Sequence, residues 1–139
     1  YKRQVYVYAR NGGVWTFEAK LKAGDGGAGR TFGQSVAIQG STAVIGSAGG
    51  TADSAFVFVR SGTTWTQQAK ISLTFVNYDD FGAAVTVSGN TAVIGAPLGN
   101  FDDRGEAYVY TRSGSMWAAM VPPGSTLSRP RPSWGPARR

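Results

Sequence analysis

Short apolar runs, separated by Gly, Ser and Asn, set the rhythm of this chain. Over residues 55–60 the run alternates two apolar types. Phe56 and Phe58 fall on one side and Val57 and Val59 on the other. Both faces of such a strand are apolar, whereas a sheet with one wet face alternates apolar with polar residues. The pattern predicts strands covered on both faces. It disfavours a two-sheet sandwich, in which each sheet buries one face. No long run carries the 3.6-residue spacing of an amphipathic helix, so the chain reads as all-β.

The runs repeat. Val5-Tyr-Val-Tyr-Ala-Arg-Asn-Gly-Gly-Val-Trp15, Ala55-Phe-Val-Phe-Val-Arg-Ser-Gly-Thr-Thr-Trp65 and Ala107-Tyr-Val-Tyr-Thr-Arg-Ser-Gly-Ser-Met-Trp117 read alike. Arg10, Arg60 and Arg112 correspond, as do Trp15, Trp65 and Trp117. Between them a second motif occurs twice. Phe32-Gly-Gln-Ser-Val-Ala-Ile-Gln-Gly-Ser-Thr-Ala-Val-Ile-Gly46 matches Phe81-Gly-Ala-Ala-Val-Thr-Val-Ser-Gly-Asn-Thr-Ala-Val-Ile-Gly95 at nine of fifteen positions, with a constant offset of 49.

The unit reads as two hairpins. A leading hairpin joins residues 36–39 to 42–46 through Gly40-Ser41, and in the second copy the link is Gly89-Asn90. A two-residue link with glycine first suits a type II′ turn. After a loop, a trailing hairpin joins residues 55–60 to a strand that carries Trp65 and reaches Ile71, with Ser61-Gly62 or Ser113-Gly114 marking its turn. Four antiparallel strands in about 50 residues match the period of propeller blades.

Blade by blade, residues 5–21 supply half a unit, 33–71 a whole one, and 82–121 another with its last strand cut short. The fold class expected over residues 1–121 is therefore a β-propeller fragment of about two and a half four-stranded antiparallel blades. Propellers close with roughly four to eight blades. These blades alone would leave open strand edges, which invite self-assembly with other chains. The chain is thus expected to be part of a longer protein or to assemble. Residues 122–139 differ: five of the six prolines lie there, and proline cannot donate to a strand ladder. This tail reads as disordered or extended. Its Arg129-Pro-Arg-Pro also fits a basic ligand for an SH3-like groove, and the abrupt switch also fits a truncated or out-of-frame gene end.

Charge and composition exclude several function classes. The net charge of +6 is concentrated in the tail, where Arg129, Arg131, Arg138 and Arg139 meet no acid. The rest carries ten Lys and Arg against eight Asp and Glu, too even for the basic face of a nucleic-acid binder. There is no Cys and no His, so disulfides, thiol nucleophiles, imidazole bases and Cys/His metal sites are excluded. No stretch approaches the roughly 18 unbroken apolar residues of a membrane-spanning helix.

The repeated Phe32-Gly33 and Phe81-Gly82, together with Gly95-Ala96-Pro97, resemble the FG and GAP marks of the FG-GAP repeat family. The first copy departs at the second mark, with Gly46-Ser47-Ala48. The resemblance covers residues 5–121. It implies the propeller of integrin α chains, of bacterial secreted or surface proteins and of some fungal lectins. It therefore implies a non-catalytic binding or adhesion module, extracellular or at the cell surface, with a protein or glycan as ligand. Integrin-type repeats carry an Asp-rich calcium loop between the first two strands of the unit. Here that link is two residues, too short to wrap a cation that wants six to eight oxygens. No metal site and no cofactor are expected.

Strand alternation places two kinds of loop at one end of each blade. In the last blade this gathers Asn77, Asp79 and Asp80 with Asn100, Asp102 and Asp103, candidates for a polar-ligand site or for solvated turn acids. The tryptophans fit either stacking on sugar rings or packing between blades, and their regular position favours packing. The arginines precede each trailing turn, where they can hydrogen-bond turn carbonyls. For catalysis only carboxylates, Lys and Ser/Thr remain. Asp102 and Glu106 flank a turn as a glycosidase pair would, but such pairs arise easily by chance. No catalytic residue is assigned.

Overall fold

The structure, a computed structural model, describes residues 3–25, 31–50, 53–73, 80–99 and 105–120. Among these residues every regular element is a strand. They are β1 (Val5–Asn11), β2 (Val14–Leu21), β3 (Ser35–Gln39), β4 (Thr42–Ser47), β5 (Ser54–Ser61), β6 (Thr64–Ile71), β7 (Ala84–Ser88), β8 (Thr91–Ala96), β9 (Glu106–Ser113) and β10 (Met116–Ala119). All pairings are antiparallel and sequential. β1–β2 form the first sheet, β3 to β6 the second and β7 to β10 the third. The architecture is a partial β-propeller, as the repeat implied. The expectations for residues 122–139 lie outside the described residues.

Turn chemistry follows the glycines. Gly40 and Gly89 both take φ of 56°, while Ser41 and Asn90 keep negative φ, the signs that a type II′ turn demands. Gly12 and Gly13 are both at positive φ, 56° and 90°, as in a type I′ turn.

The second sheet is covered on both faces. Phe56 and Phe58 of β5, with Ala43 and Ile45 of β4, pack against Val7 and Leu21 of the first sheet. Val44, Ala55 and Val57, one residue out of phase, pack against Phe81, Val87, Ala92, Ile94 and Tyr110 at the third. All of β4 is buried. In β8 the burial instead alternates, because only the face carrying Ala92, Ile94 and Ala96 meets another sheet. One strand sequence with two apolar faces therefore becomes two separate cores.

Candidate functional site

The repeated side chains converge on the seams between sheets. Each Phe-Gly pair occupies the centre of a β-turn: the amide of Gln34 donates to the carbonyl of Thr31, and that of Ala83 to the carbonyl of Asp80, both at 2.9 Å. Gly33 and Gly82 stand at the third position with φ of 90° and 96°, where a type II turn needs glycine. The phenylalanine before each glycine points into the seam. Phe32 lies edge-on to Phe56 and Phe58, with ring centroids 5.4 and 6.4 Å away. Phe81 does the same to Tyr108 and Tyr110, at 5.5 and 6.4 Å. At the second seam the backbones nearly touch. The Gly82 carbonyl accepts from the Ser35 hydroxyl at 2.7 Å, directly over Gly46.

A bulge builds the other half of each seam. β1 and β2 pair Val7 with Ala19 and then Tyr8 with Phe17, so Glu18 is the extra residue. β5 and β6 pair Val57 with Ala69 and then Phe58 with Gln67, so Gln68 is the extra residue. A bulge re-aims a side chain, and both side chains reach the next sheet. Glu18 accepts two bonds from Arg60, at 2.6 and 2.5 Å, and one from the Trp65 indole at 2.7 Å. Gln68 accepts from the Trp117 indole at 2.9 Å and from Arg112 at 3.5 Å. Arg112 also donates to Thr42 and Asn90 and lies 5.2 Å over the Trp117 ring. Arg60 and Arg112 thus serve the architecture, but their side chains grip the preceding sheet or a neighbouring amide rather than turn carbonyls, while Arg10 lies 5.9 Å over the Trp15 ring of its own hairpin. The turns are already closed by the backbone. Trp65 and Trp117 are seam residues, as their regular spacing suggested.

The first clamp is ionic and the second is not. The Arg60 hydrogen bonds hold the half-buried Glu18 carboxyl below its usual value of 4.5, aided by Trp65 and by the Arg60 charge, against a raising effect of desolvation. Arg60 is raised in turn by Glu18. A depressed carboxyl favours folding above its unfolded value and loses that contribution as pH falls through its folded value. The chain should therefore lose stability on acidification below about pH 4.5, by way of the first seam. Glu18→Gln, which copies the second clamp, should flatten that acid limb in urea titrations repeated at each pH. An unchanged limb would assign the acid sensitivity elsewhere.

Of the proposed ligand residues, Asn77, Asp79, Asn100, Asp102 and Asp103 lie outside the described residues. Asp80 lies within them and is the one non-glycine at positive φ there, 52°. Its carboxylate stands beside Gly49, in the loop between β4 and β5, so this acid faces a loop of the preceding sheet. In that loop Asp53 accepts from the amide of Gly50 at 3.0 Å and serves the turn. Glu106, the described member of the carboxylate pair, accepts from the Tyr108 hydroxyl. Among the described residues no three His, Cys, Asp or Glu side chains gather as a metal site would require. No helix there is long and apolar enough to cross a membrane.

Two bulge residues, Glu18 and Gln68, were missed by reading the sequence. Their signal was present: a carboxylate or its amide recurs three positions after the first two tryptophans.

Compared with protein families, the chain matches the model described as FG-GAP repeat over residues 15–58 and again over 65–110. No curated protein sequence matches it. Each matched segment starts on the last strand of one sheet and ends on the third strand of the next.

Proposed function

Since the chain belongs to the FG-GAP repeat family, we propose that it is a non-catalytic binding or adhesion module of an extracellular or cell-surface protein. One observation carries this reading. The Phe-Gly pairs, and the Arg and Trp of the second and third sheets, are committed to the seams, whereas the loops at one end of the sheets differ between repeats. The β4–β5 loop runs Ala48-Gly-Gly-Thr-Ala-Asp53, and its counterpart begins with Pro97 and is longer. A fixed frame with varied loops at one end suits recognition. The proposed ligand contacts are Asn77, Asp79, Asp80, Asn100, Asp102 and Asp103, and the proposed ligand is a protein.

A panel of cell-surface glycoproteins, each also in deglycosylated form, tests the proposal by biolayer interferometry beside a glycan array. Binding that survives deglycosylation and falls at least tenfold in the Asp79→Ala/Asp80→Ala/Asp102→Ala/Asp103→Ala variant is the expected result. Binding lost on deglycosylation, with specific array hits, would replace it with a carbohydrate-binding module. Turnover of a bound ligand would refute the non-catalytic reading.

A further inference from the structure

The two seams are fastened by groups of different charge. At the first, the ionic contacts run one way. Glu18 of β2 accepts from Arg60 of β5 and from Trp65 of β6. Asp25, just beyond β2, pairs with Lys70 of β6 at 2.5 Å. The acids thus belong to the first sheet and the turn that follows it, and the bases to the second sheet. Lys70 also lies 5.6 Å over the Phe56 ring. The amide of Gly24 donates to Gln67 at 2.8 Å, which holds the turn that carries Asp25 against β6.

At the second seam the acceptors described are neutral. Gln68 accepts from Arg112 and Trp117, and Thr42 from Arg112. Gln39 accepts from the Gly89 amide, and the Gly82 carbonyl from the Ser35 hydroxyl. The carboxylate beside this seam, Asp80, faces Gly49 rather than a cation. Arginine, amides, hydroxyls and main chain keep their charge between neutral pH and about pH 3, whereas glutamate and aspartate do not.

A protonated carboxyl resembles an amide in charge and in its hydrogen-bonding groups. Acid therefore turns the first clamp into a version of the second, with the ionic contribution gone, and it also parts Asp25 from Lys70. Those two side chains are 35% and 34% exposed, so their pair adds little in water. Glu18 collects three bonds, two of them from a guanidinium, and carries most of the effect. Its contribution is complete above the unfolded value and is lost as pH falls through the lower folded one.

We infer that the joint between the first and second sheets is an acid-loosened latch: protonation of Glu18 and Asp25 lets these two sheets part while the second and third stay fastened. Parting uncovers the apolar seam built from Phe32, Phe56, Phe58 and Ile45. The response is local, a sub-global opening of one seam ahead of general unfolding. The chain thereby offers an apolar surface in acid that it hides at neutral pH.

The test reads each seam through its own indole in the whole chain. Trp65 donates to Glu18 and Trp117 to Gln68, so NMR of the two indole N–H groups follows both joints in one sample. Between neutral pH and about pH 3, solvent exchange at Trp65 relative to Trp117 should rise at least tenfold. A hydrophobic dye should bind before the far-ultraviolet circular dichroism changes. In Glu18→Gln/Asp25→Asn the exchange ratio should stand at its acid value already at neutral pH and no longer respond. Gln68→Glu should transplant the latch, with the Trp117 indole better protected at neutral pH and back at its original level in acid. The inference is overturned if both indoles of the unaltered chain lose protection together or if the double variant still responds to pH. It is also overturned if Gln68→Glu leaves Trp117 indifferent to pH.

Discussion

Phe81→Ala should remove about 3–5 kcal/mol of stability, the usual cost of emptying a buried aromatic site. The ring is 1% exposed and touches the aromatic pair of its own sheet while filling the seam to the second. Domains of this size hold only about 5–15 kcal/mol in all, so the loss takes a large share. Two residues of sequence thus do two different tasks, since the glycine shapes the turn and the phenylalanine fills the seam. Urea titration followed by near-ultraviolet circular dichroism should show an earlier midpoint. Phe81→Leu, which keeps most of the volume, should cost less than half as much. A loss below about 1 kcal/mol for the alanine variant would mean that the seam closes without the plug.

The second large effect separates two glycines at one repeat position. A Cβ on Gly46 would stand 1.9 Å from the Gly82 carbonyl oxygen and 2.2 Å from the Ser35 hydroxyl. The carbonyl is main chain of the next sheet, so relief requires parting the sheets. Overpacking costs about 1–3 kcal/mol, sometimes more, and Gly46→Ala should sit at or above the top of that range. A Cβ on Gly95 would meet Ala84 at 3.5 Å, an ordinary contact. Gly95→Ala should change stability by no more than about 0.5 kcal/mol. The pair controls for backbone propensity, since both glycines lie near the ends of equivalent strands. Equal midpoints for the two variants would show that the sheets do not approach this closely.

Much of this frame was legible in the sequence because its causes are local. Alternation of Phe and Val in β5 required two covered faces, and two cores meet there. Glycine at the first turn position between β3 and β4 announced its own backbone sign. The recurrence of Glu18 and Gln68 after the tryptophans was visible, but their role as clamps was not, for a definite reason. In regular alternation Glu18 and Gln68 look like ordinary polar strand residues, and only a one-residue bulge turns them toward the next sheet. A bulge is decided by pairing across the sheet, so its presence cannot be read from one strand. The arginines were accordingly given the nearest acceptors in sequence, the turn carbonyls, when their acceptors lie elsewhere. The loop acids were harder still. They recur in no pattern, and of the four only Asp80 is described.

Each matched segment begins on the outer strand of one sheet, and this offset bears on how such an array grows. The segment 65–110 carries the acceptor Gln68, the plug Phe81 and the ring pair Tyr108 and Tyr110 that receives the plug. Those parts meet at one seam. A gene duplication that copies this stretch therefore inherits the plug together with the rings that receive it, while the donors to Gln68, Arg112 and Trp117, lie beyond residue 110. Lengthening the array by whole segments preserves compatibility between neighbours from the first generation, and later divergence is free to fall on the loops.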